Sequence, residues 1–316
     1  MAIPHAPPAS VPDAGWPGRD AGQAAASRPP GPQRSRLDSC GQKLDGSAAS
    51  AEYYRRRRRV LYAALKHAVR HGILSANPLD NPQSADWKAP AVASAVDRRR
   101  VPSPAQMREL LTAIGKVGRT QGPRLVALYG CMYYAMLRPS EAVSLRRDDC
   151  HLPAIGWGLI EFSETHSAAG RDWTDDGEVH EPRAPKGGPK NAVRRVPIPP
   201  ELVALLSEHI DAYGTGPDGR LFRTYRGGIY QPSTLWRVLQ GARPLAFDPA
   251  HAASPLARKP YDFRHAGVSW RLNSGVPGPK VAEWAGHSVE ILYRVYAHCL
   301  DGEDDRWYER MERALG

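Results

Sequence analysis

Cysteine is scarce in this sequence and nowhere paired. Its four cysteines, Cys40, Cys131, Cys150 and Cys299, stand far apart with no CxxC spacing. That argues against a zinc site or a disulfide framework and for a reduced, cytoplasmic protein. No apolar run approaches the ~18 residues of a membrane span, so no membrane partner is expected. The opening MAIPHAPPASVPDAGWPG lacks a basic region followed by an apolar one and does not read as a secretory signal. Metal ligands are equally sparse. His67 and His71 lie four apart, but no third ligand or HExxH glutamate accompanies them, and no carboxylate cluster suggests a divalent ion. No metal and no cofactor is expected. Negative charge is the minority: 33 Asp and Glu face 43 Lys and Arg, a net charge of +10. Such an excess favours a polyanionic partner, because each neutralised phosphate releases a counterion. By itself it fits an ordinary basic protein equally well.

The 316 residues are 41% hydrophobic, enough for one large or two modest domains. Residues 1–50 are rich in Pro, Gly, Ala and Ser, with almost no large aliphatics, and are expected to be disordered because they cannot offset their ordering entropy. AEYYRRRRRVLYAALKHAVRHG follows, with Leu61, Ala64, Leu65 and Ala68 at i, i+3, i+4 and i+7, an amphipathic helix that Gly72 closes. Its run Arg55–Arg59 sits poorly at a helix N-terminus, where the dipole disfavours cations, unless an anion covers it. A solvated charge run is the competing explanation. Two prolines in NPLDNPQ end this unit, near residue 86, and residues 87–101 read as an extended basic linker. From residue 102 a second domain begins: Ser103 caps a helix that Pro104 opens.

RLVALYGCMYYAML (124–137) is an apolar, buried helix that Pro139 stops. Pro139 also suits the first turn of the next helix, SEAVSLRR, so Arg138 sits at a junction pinned between two helices. An arginine held there is either pre-organised for a phosphate or a structural partner of Glu141. WGLIEFS and Arg195–Ile198 read as strands of a hairpin whose rim carries Lys186 and Lys190. A helix opened by Pro200, a loop with a short strand in LFRTYRGGIY, and a helix presenting Leu235, Trp236 and Leu239 on one face come next. Three helices follow: DFRHAGVSWRLNSG closed by Gly275, Pro277–Ala285 closed by Gly286, and one capped by Ser288. In the last, Val289, Leu292, Tyr293 and Tyr296 form one stripe, so spacing alone makes Tyr296 a packed core residue. Trp307, Tyr308 and Met311 give the C-terminal segment an apolar stripe suited to docking in cis or on a neighbour.

LRPSEAVSLRRDD, a hairpin lysine, YDFRH and GHSVEILYRVY, in this order and spacing, resemble the tyrosine recombinase (phage integrase) family, and actinobacterial integrases in particular. The resemblance covers the chain from about Val101 onward and extends weakly to the Arg-rich helix. It implies a mainly α fold with a small antiparallel β-hairpin or sheet. It also implies a catalytic domain over 102–316, preceded by a truncated helical core-binding region over 51–86. Residue by residue, Arg138 matches the first arginine, Glu141 its acidic partner, Arg264 the arginine of the HxxR box, His287 the histidine of the LGH-like box and Tyr296 the nucleophile. Tyr293 fits that spacing less well. The lysine falls at Lys186, with Lys190 the alternative. Tyr261 stands where the HxxR box has histidine; a phenol is a poor proton acceptor near neutral pH. His265 is expected to point elsewhere on its helix.

The activity implied is site-specific DNA recombination or integration, independent of metal and ATP. Tyr296 attacks a phosphodiester, leaving a 3′-phosphotyrosine and a free 5′-hydroxyl. The partners implied are double-stranded DNA, gripped also by Arg55, Arg56, Arg58, Arg59 and Lys190; further copies of the chain, as a homotetramer on paired sites; and an accessory DNA-bending or directionality factor. A type IB topoisomerase-like activity and a non-catalytic DNA-binding integrase remnant are the alternatives.

Overall fold

The structure, a computed structural model, describes residues 41–43, 45–80, 95–162, 165–168, 180–183, 193–299 and 304–315. The chain divides into two units, Met1–Val92 and Ala93–Gly316. In the first, helix α1 (Ala51–Arg70) begins at Ser50, whose side chain accepts from the Tyr53 N–H, and Gly72 follows it at φ +69°. Its expected stripe is only half covered: Leu61, Leu65 and Ala68 are partly buried, Ala64 is exposed, and no residue of the helix is fully buried. Of the segment expected to be disordered, residues 1–40 lie outside the described residues. Among the described residues before α1, Gln42 and Ala48 pair in an isolated antiparallel bridge.

The second unit is built on helices α2 (Pro104–Gly115), α3 (Gln121–Tyr134) and the short α4 (Pro139–Ser144). Ser103 and Gln106 cap α2 reciprocally, a full capping box, worth about 1 kcal/mol. Helix α3 is apolar around most of its circumference, with Leu125, Leu128, Tyr129 and Met132 inaccessible to solvent. A helix of that composition must be covered on several sides, and α2 and α8 (Tyr261–Asn273) pack against it, with α5 (Pro200–Tyr213) on another side. Strands β1 (Cys150–His151), β2 (Gly158–Phe162) and β5 (Arg194–Ile198) form an antiparallel sheet in the order β1-β2-β5. Between them, β3 (Thr165–Ala168) and β4 (His180–Arg183) pair antiparallel as a separate ribbon. Lys186 and Lys190 fall outside the described residues. Helices α6 (Pro232–Ala246), α7 (Pro249–Ala253), α9 (Gly278–Ala285), α10 (Val289–Tyr296) and α11 (Asp304–Leu315) complete the described α-helices. The fold is thus mainly α with a small antiparallel sheet.

Three local expectations need correction. LFRTYRGGIY holds no strand; the loop is pinned instead by a bridge between Arg146 and Arg220 and by the Leu221 N–H donating to the Leu145 carbonyl at 2.9 Å. On α6 the buried face is Leu235, Val238, Leu239 and Ala242, at i, i+3, i+4 and i+7, whereas Trp236 is 54% exposed, a hundred degrees of helical turn away from Leu235. On α10 only Leu292 and Tyr296 are buried; Val289 and Tyr293 are exposed. On α11, Tyr308 and Met311 are exposed, and the Trp307 side chain lies outside the described residues.

Candidate active site

Helix α3 ends in an unusual way. Met136 takes φ +55°, left-handed for a residue with a full side chain, so the backbone turns sharply before Leu137 and Arg138. Arg138 is then the N-cap of α4, with Pro139 in its first turn. Glu141 reaches back from that turn and accepts from the Arg138 backbone N–H at 2.8 Å and from its Nη1 at 2.6 Å. Arg138 Nη2 donates to the Gly286 carbonyl at 2.7 Å. Two of the five guanidinium N–H groups are so used, and the side chain is 20% exposed. Arg138 is therefore both a structural partner of Glu141 and an open cation.

Glu141 itself is 1% exposed and serves a second arginine that sequence reasoning missed. Arg194, the first residue of β5, donates to it through Nη1 at 3.1 Å and Nη2 at 2.8 Å, a bidentate pair. Its guanidinium lies over the Phe162 ring at 4.9 Å. The available signal was alternation: Arg194, Val196 and Ile198 share the inward face of β5, while Arg195 points out and pairs with the half-buried Glu161. Burial pushes the Glu141 carboxyl up, but Arg194, by charge and hydrogen bond, and then Arg264 and Arg138, outweigh it and hold the group down at about 2.

Arg264, in the first turn of α8, is wholly buried. Its position depends on Gly267, where an added Cβ would fall 2.0 Å from the Tyr133 carbonyl oxygen; only glycine lets α8 approach the end of α3 so closely. Arg264 Nη1 donates to the Met136 carbonyl that the left-handed turn presents, and Nη2 to the Ala285 carbonyl. Nη2 also meets His287 Nε2 at 2.8 Å. Since arginine only donates, Nε2 accepts and the His287 proton sits on Nδ1, which is buried without a partner among the described residues. Burial, then Arg264 and Arg138, push His287 down to about 3, so the ring is neutral. Gly286 sets this geometry. It caps α9 at φ +63°, and a Cβ there would lie 2.3 Å from Arg194 Nη1.

Tyr296 comes to the same cluster from α10, with its ring stacked on His287 at 6.1 Å between centroids. It is 1% exposed. Burial pushes its phenol well up, and the nearby Arg264 only partly offsets this, so the hydroxyl is protonated at neutral pH. That hydroxyl meets His265 Nδ1 at 2.9 Å. His265 therefore does not point elsewhere. At i and i+4 on α8, Tyr261 and His265 face each other edge-on at 4.9 Å, and the imidazole lies between Tyr261 and Tyr296. Burial, then Arg100 and Arg264, push His265 down to about 3. Tyr261 lies 5.9 Å below the Arg264 guanidinium, face-on. Tyr293 is elsewhere: its hydroxyl lies against Gly278 at the start of α9.

The structure thus brings together Arg138, Glu141, Arg264, His287, Tyr296 and Tyr261, and adds Arg194 and His265. Three guanidinium groups surround one carboxylate, a surplus of positive charge beside neutral imidazoles and a phenol. The residues Arg55, Arg56, Arg58 and Arg59 lie on α1, in the other unit, with Arg55, Arg56 and Arg59 exposed. His67 and His71 lie side by side with tilted rings, 4.3 Å between centroids. No group of three His, Cys, Asp or Glu suited to a metal occurs among the described residues.

No protein-family model matches the chain, and no curated protein matches it in sequence. Solved structures do match. The Tn1549 transposon integrase in complex with transposon right end DNA aligns at a TM-score of 0.60 and 19% identity, over 89% of this chain and 83% of that one. The same integrase with circular intermediate DNA aligns at 0.59 and 19% identity, over 84% and 81%. The XerH site-specific recombinase bound to difH substrate, a pre-cleavage complex, aligns at 0.51 and 14% identity, over 87% and 68%. At such identities the likeness is one of fold, and the fold is that of the tyrosine recombinases.

Proposed function

We propose that this chain is a DNA strand-exchanging tyrosine recombinase. The observation that carries the proposal is the cluster of Arg138, Arg194 and Arg264 around the single carboxylate of Glu141, with Tyr296 packed beside it. Such a surplus of fixed positive charge calls for an anion, and Arg138 keeps donors free to take one. Tyr296 attacks a DNA phosphodiester, forming a 3′-phosphotyrosine and releasing a 5′-hydroxyl. Arg138 and Arg264 stabilise charge on the non-bridging oxygens, and Arg194 and Glu141 fix Arg138. The Nδ1–H of His287, without a partner among the described residues, is a ready donor to the phosphate. Lys186, or in its place Lys190, protonates the departing oxygen, a contribution of ~10²–10⁴-fold. The covalent bond conserves the phosphodiester energy, so religation needs neither metal nor ATP. Arg264 and Tyr296 are buried, so this proposal requires that they be uncovered for DNA to reach them. The DNA-binding arginines of α1, assembly as a homotetramer on paired sites, and an accessory DNA-bending or directionality factor belong to the same proposal.

The test is covalent trapping on a library of nicked duplexes, with adducts recovered under denaturing conditions. Wild type is expected to form adducts and Tyr296→Phe none. Adducts that persist in Tyr296→Phe refute Tyr296 as nucleophile. Binding without adducts favours the DNA-binding remnant, a reading that Tyr261 and the closed site recommend. Relaxation of supercoiled DNA without paired sites favours a topoisomerase-like activity.

A further inference from the structure

The HxxR position that resembles a general base is filled by Tyr261, yet an imidazole does touch the reacting phenol. His265 Nδ1 lies 2.9 Å from the Tyr296 hydroxyl, within the range for direct proton transfer. Tyr261 holds the ring edge-on from one side and Tyr296 meets it at a tilt from the other, 5.6 Å between centroids, so its orientation is fixed. With the phenol donating, Nδ1 is the acceptor and the His265 proton sits on Nε2.

We propose that His265 is the proton acceptor for Tyr296, an inference that rests on the recombinase reading above. As the Tyr296 oxygen bonds to phosphorus and the bond from phosphorus to the 5′-oxygen breaks, the phenolic proton passes to His265 Nδ1. The 5′-oxygen takes a proton from the acid assigned to Lys186. On religation the 5′-hydroxyl returns its proton to that acid, and His265 gives its own back to the phenol. The groups acting on the new imidazolium are Arg100, Arg264, His287, Tyr261 and Tyr296. Arg100 and Arg264 disfavour the charge, and the scissile phosphate brought by DNA supplies the compensating anion. This places on His265 the role that Tyr261 cannot fill.

The experiment measures single-turnover adduct formation on a trapping duplex for wild type, His265→Ala, His265→Asn and Tyr296→Phe, with DNA affinity and thermal melting recorded for each. Asparagine puts an acceptor oxygen near the position of Nδ1 but cannot carry a proton. Both His265 variants are expected to bind DNA like wild type and to form adduct ~10²-fold or more slowly. A His265→Asn rate near that of wild type overturns the proposal and leaves His265 a positioning group. A His265→Ala rate near wild type removes even that. If His265→Ala fails to fold, the asparagine variant decides alone. Loss of adduct in Tyr296→Phe keeps the parent reading intact through either outcome, whereas adduct in Tyr296→Phe, or none in wild type, overturns both.

Discussion

The chain carries two sets of arginines, and they could hardly be less alike. The five on α1 are consecutive, and three of them, Arg55, Arg56 and Arg59, are exposed. Arg138, Arg194 and Arg264 are scattered over more than a hundred residues of sequence, yet they share Glu141 within 3.9 Å. The first set is conspicuous and loosely held; the second is inconspicuous and tightly held. An exposed cation keeps its hydration and costs the fold little. A buried one loses its water and is tolerated only if carboxylate and carbonyl oxygens replace that water, which here they do. In the proposed function, the dense exposed charge of α1 is where the polyanion is met and the buried charge around Glu141 is where it is worked upon.

The sharpest way to break this contrast is at Glu141. Glu141→Gln keeps the shape but leaves three guanidinium groups without their counter-charge. We expect about 3–5 kcal/mol of lost stability in denaturant titration and no covalent adduct. A loss below about 1 kcal/mol would put the site arginines in the same class as those of α1.

Acid sharpens the comparison next. Glu141 sits at about 2 in the folded chain against 4.5 when free. An unfolded chain therefore takes up a proton as pH falls through 4.5, and the folded one does not until about 2. The stability it confers is present above 4.5 and lost between 4.5 and 2. His265 and His287 sit at about 3 against 6.5. Unfolding protonates both below 6.5, so stability already declines from there toward 3. Denaturant midpoints should therefore fall from about pH 6.5 and fall more steeply below 4.5, and in Glu141→Gln that added steepness should be lost while the histidine decline remains.

The smallest effect on folding is expected on α1. Replacing Arg55, Arg56, Arg58 and Arg59 by alanine should shift the melting free energy by no more than about 0.5 kcal/mol per substitution. DNA affinity should fall, and the slope of log affinity against log salt should shrink by about one for each phosphate that is no longer neutralised. An unchanged salt slope would make the run a solvated surface and nothing more.

Much of this was legible beforehand. Ser103, Pro139, Gly275, Gly286 and Ser288 mark helix ends because capping and left-handed turns depend on local backbone chemistry. Trp236, Val289 and Tyr293 depart from the expected stripe because apolar spacing names a stripe but not how much of it another element will cover. Arg194 is not legible in the sequence because, in a run of two arginines, only strand pairing decides which points inward. His265 lies one position along the helix from Arg264 and so on a different face, but that face is the one α10 covers.

By itself the sequence determined most of the helices, the β2–β5 pairing and the residue types of the candidate site, since propensity, capping and periodicity act over a few residues. Tertiary structure alone decided that Glu141 would be shared by three arginines. It also decided that Tyr296 would be covered and that an imidazole from α8 would meet its hydroxyl. Those outcomes depend on how closely α8 approaches α3 at Gly267, and on the left-handed turn at Met136 that aims a carbonyl at Arg264. Contacts between residues more than a hundred positions apart are set by packing, and local spacing carries no information about them.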